Sequence, residues 1–324
     1  MQDINVGRCC AQAEYEKGAY DMEMVHLLFR QNMVMLLYLI IGYILYKREV
    51  ITTRGSGEIG KLLLYIVMPA AIVKSYLKEY STEMLTGFLV SFGAAIGALL
   101  VSMVVSALVF RKKSAIRQFG AAFSNAGFIG IPLVQMTLGE EAVFYAASFV
   151  ATLNILQWTY GVFIMTKDKS RIHLKKIVTN PIAVSLGIGL ILFFTPIRIP
   201  EIVTGVIGTL AGMNGPLAMI VMGAYLAQIS LVDLFTDRLT YLCAAVRLLI
   251  IPTLTILLFV LIPDQYNEVR FAALLLAAAP VGSNVAIFAQ IYQREYTDAV
   301  KDVCLSTMLS IMTMPIVIGI ANYV

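Results

Sequence analysis

The stretch FGAAFSNAGFIGIPLVQMTLG, residues 119–139, decides how the chain is read. It is apolar over a length that suits the ~30 Å hydrocarbon core of a bilayer. Yet it carries Asn125, Gly127, Gly130 and Pro132 in close succession. Pro132 removes a backbone donor and sterically blocks the carbonyl of Phe128, four residues earlier. The two glycines remove side chains that would resist unwinding. A helix break at Pro132 is expected. Backbone freed at membrane depth survives only where it faces protein or a watery cavity, so the break marks a polar site.

A second stretch, FAALLLAAAPVGSNVAIFAQIYQ at 271–293, carries the same interruption in altered order: Pro280, Gly282, Ser283 and Asn284. The rest of the chain suits a bilayer. Of its 324 residues, 59% are hydrophobic and 14% charged, with mean hydropathy +0.83. A soluble domain carries roughly 25% charge. The fold class is an all-α polytopic membrane protein, which excludes nucleic-acid binding, a secreted disulfide scaffold and a soluble metalloenzyme. The net charge of +4 is small. Cys9, Cys10, Cys243 and Cys304 lack metal-ligand spacing and read as inert thiols. The first residues lack the apolar core of a signal peptide, and Met22 or Met24 is a plausible start.

Ten apolar runs fall at 25–46, 59–77, 84–110, 118–139, 142–166, 181–196, 202–230, 239–262, 270–292 and 299–323. Basic residues cluster in the loops after odd-numbered spans, at Lys47–Arg48, Arg111–Lys113, Arg117 and Lys167–Lys176. The even loops hold only Lys74, Lys78, Arg198 and Arg270. By the positive-inside rule the odd loops are cytoplasmic and both termini lie outside the cell membrane. Residues 1–24 form a polar tail, 25–166 a first five-helix repeat, 167–180 a short basic cytoplasmic loop and 181–324 a second repeat. Five spans per repeat invert the second against the first. Pro69 and Pro132 in the first half are spaced like Pro216 and Pro280 in the second.

One proline that merely kinks a packed helix needs no further reading. A matched pair in inverted halves, each with an intramembrane Asn, points to a transporter site. Half-helix N-termini there present free N–H groups and about half a positive charge, which favours an anion. No Asp or Glu lies near the middle of a span, and Asp298 and Asp302 flank span 10. That pattern disfavours cation exchange. Arg247, about ten residues into span 8, is costly in a bilayer. A substrate contact, a carbonyl clamp, a partner carboxylate and snorkelling all fit it. Gln135, Gln157, Gln228 and Gln290 read as packing glue. Asn214, before Gly215–Pro216, reads as the cap of an unwound turn in span 7.

The motif NAGFIGIPL (125–133) closely resembles the signature of the auxin efflux carrier (PIN-like) family, which includes bacterial malate and malonate permeases. GYILYKR (42–48), KLLLYIVMPA (61–70), AAAPVGSN (277–284) and Pro315 resemble other family segments, in order along the whole chain. The resemblance implies ten helices in two inverted five-helix repeats, similar to bile acid:sodium symporters and sodium–proton antiporters, with broken helices 4 and 9 crossing at their prolines. It implies a homodimer with a scaffold of helices 1, 2, 6 and 7 and a transport unit of helices 3–5 and 8–10. Asn125, Pro132 and Pro280 match the crossover positions. Asn154 falls where plant members carry a binding Gln in helix 5, a departure that leaves the substrate open. The 167–180 loop is very short beside its plant counterpart.

The expected function is a secondary active carrier of small organic anions, mono- or dicarboxylates, working by alternating access. Its expected substrate-binding residues are Asn125, Gly127, Gly130, Pro132, Asn154, Arg247, Pro280, Gly282, Ser283 and Asn284. No cofactor or bound metal is expected, though proton or sodium coupling fits. The partners are the substrate anion, the lipid bilayer and a second copy of the chain. An ion-coupled symporter of larger amphipathic anions, or a non-transporting sensor or channel on the same fold, is the alternative. An enzyme is not expected, because no nucleophile–base pair lies in the spans.

Overall fold

A computed structural model of the chain describes residues 29–321, except 32, 79, 169, 171–174, 176, 177, 196 and 198. The polar tail with Cys9 and Cys10, and Arg171, His173, Lys176 and Arg198, lie outside the described residues.

The described residues are helical, in chain order α1 (Phe29–Lys47), α2 (Thr53–Ser75), α3 (Thr82–Phe110), α4 (Ala115–Ala122), α5 (Ala126–Thr137), α6 (Glu140–Thr166) and α7 (Pro181–Phe194). There follow α8 (Glu201–Leu226), α9 (Leu231–Thr236), α10 (Arg238–Phe259), α11 (Asn267–Ala278), α12 (Asn284–Ile291) and α13 (Tyr296–Ala321). Among the described residues there is no strand, only one isolated antiparallel bridge between Ser124 and Val281. Side-chain caps set several starts. Thr52, Ser81, Asn180 and Asp237 accept the N–H groups of Gly55, Met84, Ile182 and Leu239 at the heads of α2, α3, α7 and α10.

Seven helices, α1, α2, α3, α6, α8, α10 and α13, are long and apolar enough to cross a membrane. Their large apolar side chains face outward at positions such as Leu108, Ile202 and Leu257, as a lipid environment requires. The remaining apolar helices are shorter because spans 4 and 9 are each split, into α4–α5 and α11–α12, while α7 has 14 residues.

Helix packing forms two clusters that touch each other, α2 and α7 against α6, and α8 against α5 and α13. On one side α2 packs against α7 and α8, and α1 lies directly on α8. A Cβ on Gly42 would meet Ile220 O at 2.0 Å, and one on Gly223 would meet Leu39 O at 1.9 Å. Only glycine allows backbones so close. On the other side α3 packs against α4, α6, α10 and α11, and α13 packs against α4, α10 and α12.

Prolines are absorbed without breaking most helices. Wide turns at Leu63–Val67, Ala126–Gly130 and Val246–Ile250 stand just before Pro69, Pro132 and Pro252. In each, the residue before the proline (Met68, Ile131, Ile251) donates its N–H five residues back. The shifted register moves the bond that the proline cannot make to the carbonyl five residues back. The expected break at Pro132 is therefore corrected: the chain leaves helical geometry at Phe123–Asn125, and Pro132 lies inside α5. Among the described residues of the two interrupted stretches, Pro280 is the proline that sits in a break, between Ala278 and Asn284.

Candidate functional site

The two breaks meet each other. Phe123 is extended (φ −120°, ψ 116°), and its carbonyl accepts the Gly282 N–H at 3.0 Å. Asn125 N–H donates to Pro280 O at 2.7 Å, closing a two-bond antiparallel ladder around Ser124 and Val281. The Val281 N–H donates to Ser306 Oγ on α13 at 3.0 Å. Gly282 is required for this approach, since a Cβ there would meet Ser124 O at 2.9 Å and Phe123 O at 3.1 Å.

Four helix ends converge on the ladder, and the structure treats the two kinds differently. The C-terminal ends of α4 and α11 share one cation. Arg247 is 1% exposed, and its guanidinium donates to Ala279 O at 3.1 Å, Ala121 O at 3.1 Å and Ala277 O. Its charge faces the negative ends of both half-helices. Among the readings open for Arg247, the carbonyl clamp is the observed one.

The N-terminal ends of α5 and α12 open onto a common cavity bordered by Ser124, Asn125, Gly127, Phe128, Gly282, Ser283 and Asn284. Asn154, Val150 and Leu153 of α6, Leu64 and Met68 of α2 and Ile182 of α7 close it. It is constricted to about the size of one water. Its polar surface includes unpaired donors. The first-turn N–H groups of α5 have no intrahelical acceptor. Asn125 Nδ2 and Ser124 Oγ are buried without a hydrogen-bond partner, and so is Gln157 Nε2 close by. Leaving a buried donor unmet costs about 1–3 kcal/mol.

Of the residues expected from sequence, Asn125, Gly127, Asn154, Gly282, Ser283 and Asn284 border this cavity, whereas Gly130, Pro132, Pro280 and Arg247 do not. Gly130 instead admits Leu276, whose Cδ2 a Cβ there would meet at 2.5 Å. Asn154 Nδ2 donates to Val150 O on its own helix at 2.8 Å. Asn284 Nδ2 donates to Gln157 Oε1 at 2.8 Å, so Gln157 belongs to the site's framework. Ser124 and Gln157 were legible only weakly: one adjoins Asn125, the other lies one turn beyond Asn154. Asn214 does not cap its own helix. Its Nδ2 reaches Gly127 O at 3.3 Å, a carbonyl freed by the wide turn before Pro132. Asp302 does not merely flank a span: it is 1% exposed on the second turn of α13.

A comparison with curated proteins finds no match. A family model described as membrane transport protein matches residues 29–318, nearly the whole described chain. The chain belongs to that family, the auxin efflux carrier or PIN-like membrane transporters.

Proposed function

We propose that the protein is a secondary carrier of small organic anions, mono- or dicarboxylates, that works by alternating access at the crossing of α4–α5 and α11–α12. One observation carries this reading. Unpaired buried donors, Asn125 Nδ2 and Ser124 Oγ, stand beside two helix N-termini, and no carboxylate borders the cavity to satisfy them. A carboxylate oxygen supplies the missing acceptors, and the positive helix ends supply the charge. A pocket with room for about one water fits a carrier's binding site better than a permanently open channel.

In this reading the chain makes ten crossings in two inverted repeats, with both termini outside the cell membrane. The group α1, α2, α7 and α8 is the scaffold, through which two copies pair. The group α3–α6 with α10–α13 carries the site across. Asn125, Ser283, Asn284 and Asn154 contact the anion, Gly127 and Gly282 keep its space open, and Pro132, Pro280, Gly130 and Arg247 position the backbone. Purified protein in liposomes should take up labelled short mono- or dicarboxylates with saturation and counterflow. Linear flux, or no uptake across a broad acid panel, contradicts the proposal.

A further inference from the structure

Beyond the crossing lies a charged cluster that carbonyl clamping and anion binding do not use. Arg117 of α4 is 4% exposed and faces three carboxylates. It hydrogen-bonds Asp237, just before α10, and lies 3.2 Å from Asp298 Oδ2 and 3.6 Å from Asp302 Oδ1 on α13. One guanidinium cannot neutralise three acids. Asp237 holds its share firmly: burial works against its charge, but the Leu239 N–H and the Arg117 charge keep its carboxyl below the usual carboxylate range. Asp302 is left over. Its side chain is wholly buried, and neither carboxylate oxygen has a hydrogen-bond partner. The other groups facing it are Thr240 and Cys243 of α10, while Arg247, one turn further on, is committed to carbonyls.

The position of Asp302 ties it to the crossing. A Cβ on Gly120 would meet Asp302 Oδ2 at 3.9 Å and Val281 Cγ1, in the crossing ladder, at 3.1 Å. One turn along α13 from Asp302, Ser306 accepts the Val281 N–H. A change of charge at Asp302 therefore bears on both neighbours of the ladder. The cluster also reaches outward: the side chains of Asp237 and Asp298 are 24% and 31% exposed, against 0% for Asp302. A metal ion needs converging ligands, and no metal-ligating cluster exists among the described residues. A proton needs one carboxylate.

We propose that Asp302 is a proton-binding site that couples proton movement to the carrier cycle, taking H⁺ from one aqueous face through the Asp237–Asp298 mouth as COO⁻ becomes COOH, and releasing it when the transport unit has moved. The proposal rests on the carrier reading above, and an uncharged Asp302 relieves the unbalanced negative charge that otherwise opposes burial. The test uses the full-length protein in liposomes, with malonate as transport probe and infrared difference spectra between acid and alkaline pH as a substrate-free readout. Wild type should show a carboxyl band that Asp302→Asn removes and Asp298→Asn retains. An inward pH gradient should raise malonate accumulation by up to about tenfold per pH unit for one proton. Asp302→Asn should abolish that response while keeping labelled-malonate counterflow, and Asp302→Glu should restore it. A band or a gradient response unchanged in Asp302→Asn overturns the proposal. If Asp302→Asn does not fold, the band in Asp302→Glu decides: a carboxyl band left at its wild-type position overturns the proposal, and a shifted band with the gradient response kept supports it. If malonate does not move in wild type, the carrier reading is challenged separately, and the infrared band still judges Asp302.

Discussion

The two crossing helices break for different reasons. In α11–α12 the proline stands in the break: Ala279, just before Pro280, is extended (φ −58°, ψ 149°) as a residue preceding proline prefers, and α11 ends there. In α4–α5 the break falls at Phe123–Asn125, seven residues before Pro132, at positions any helix would tolerate. That opening is imposed from outside, by the Asn125–Pro280 and Gly282–Phe123 hydrogen bonds and by Arg247 on Ala121. One arm of the crossing is locally encoded and the other is held by its partner. Substitutions should separate them.

The largest effect is expected at the shared clamp. Arg247→Met strands three buried carbonyls from both arms and should destabilise the protein by about 3 kcal/mol or more, read as lost folded yield and a lowered thermal midpoint in detergent. Next, Gly282→Val pushes a side chain against the carbonyls of Ser124 and Phe123. It should cost roughly 1–3 kcal/mol, and α4–α5 should respond although the change is in the other arm. Cross-linking between cysteines placed on α5 and α12 would register that response. Asn125→Ala removes an unpaired donor without touching the ladder; uptake should fall about tenfold or more, about 1.4 kcal/mol, with unchanged thermal stability. The smallest pair is the sharpest. Pro280→Ala should lower uptake by allowing α11 to extend, whereas Pro132→Ala, inside a helix where Asn214 already serves the carbonyl that the proline cannot, should cost under about 0.5 kcal/mol and leave uptake near normal. Equal effects from the two prolines would erase the distinction between the arms.

The sequence announces what is local. Hydropathy, Pro280 with Gly282, and the Asn residues in apolar runs each reflect chemistry within a few residues, and they led to the helical membrane class, to two interrupted spans and to six of the residues that border the cavity. What depends on distant partners stayed hidden. Pro132 looked like the break because the compensating wide turn at Ala126–Gly130 has no sequence signal of its own. Arg247 remained open among four readings because its three acceptors are backbone carbonyls from helices that are remote in sequence. Asp302 read as a flanking charge because its burial follows from how α13 packs on α4 and α10, and Gln157 read as glue because its partner, Asn284, lies 127 residues away.

The most direct test of the account is an electron-density map of the protein in a bilayer mimetic with a saturating short carboxylate. The account predicts extended backbone at 123–125 and 279–283, with the carboxylate within ~3 Å of Asn125 and the first N–H groups of α5 and α12. Continuous helices through either stretch, or a carboxylate bound elsewhere with the Asn125 side chain still unpaired, would contradict it.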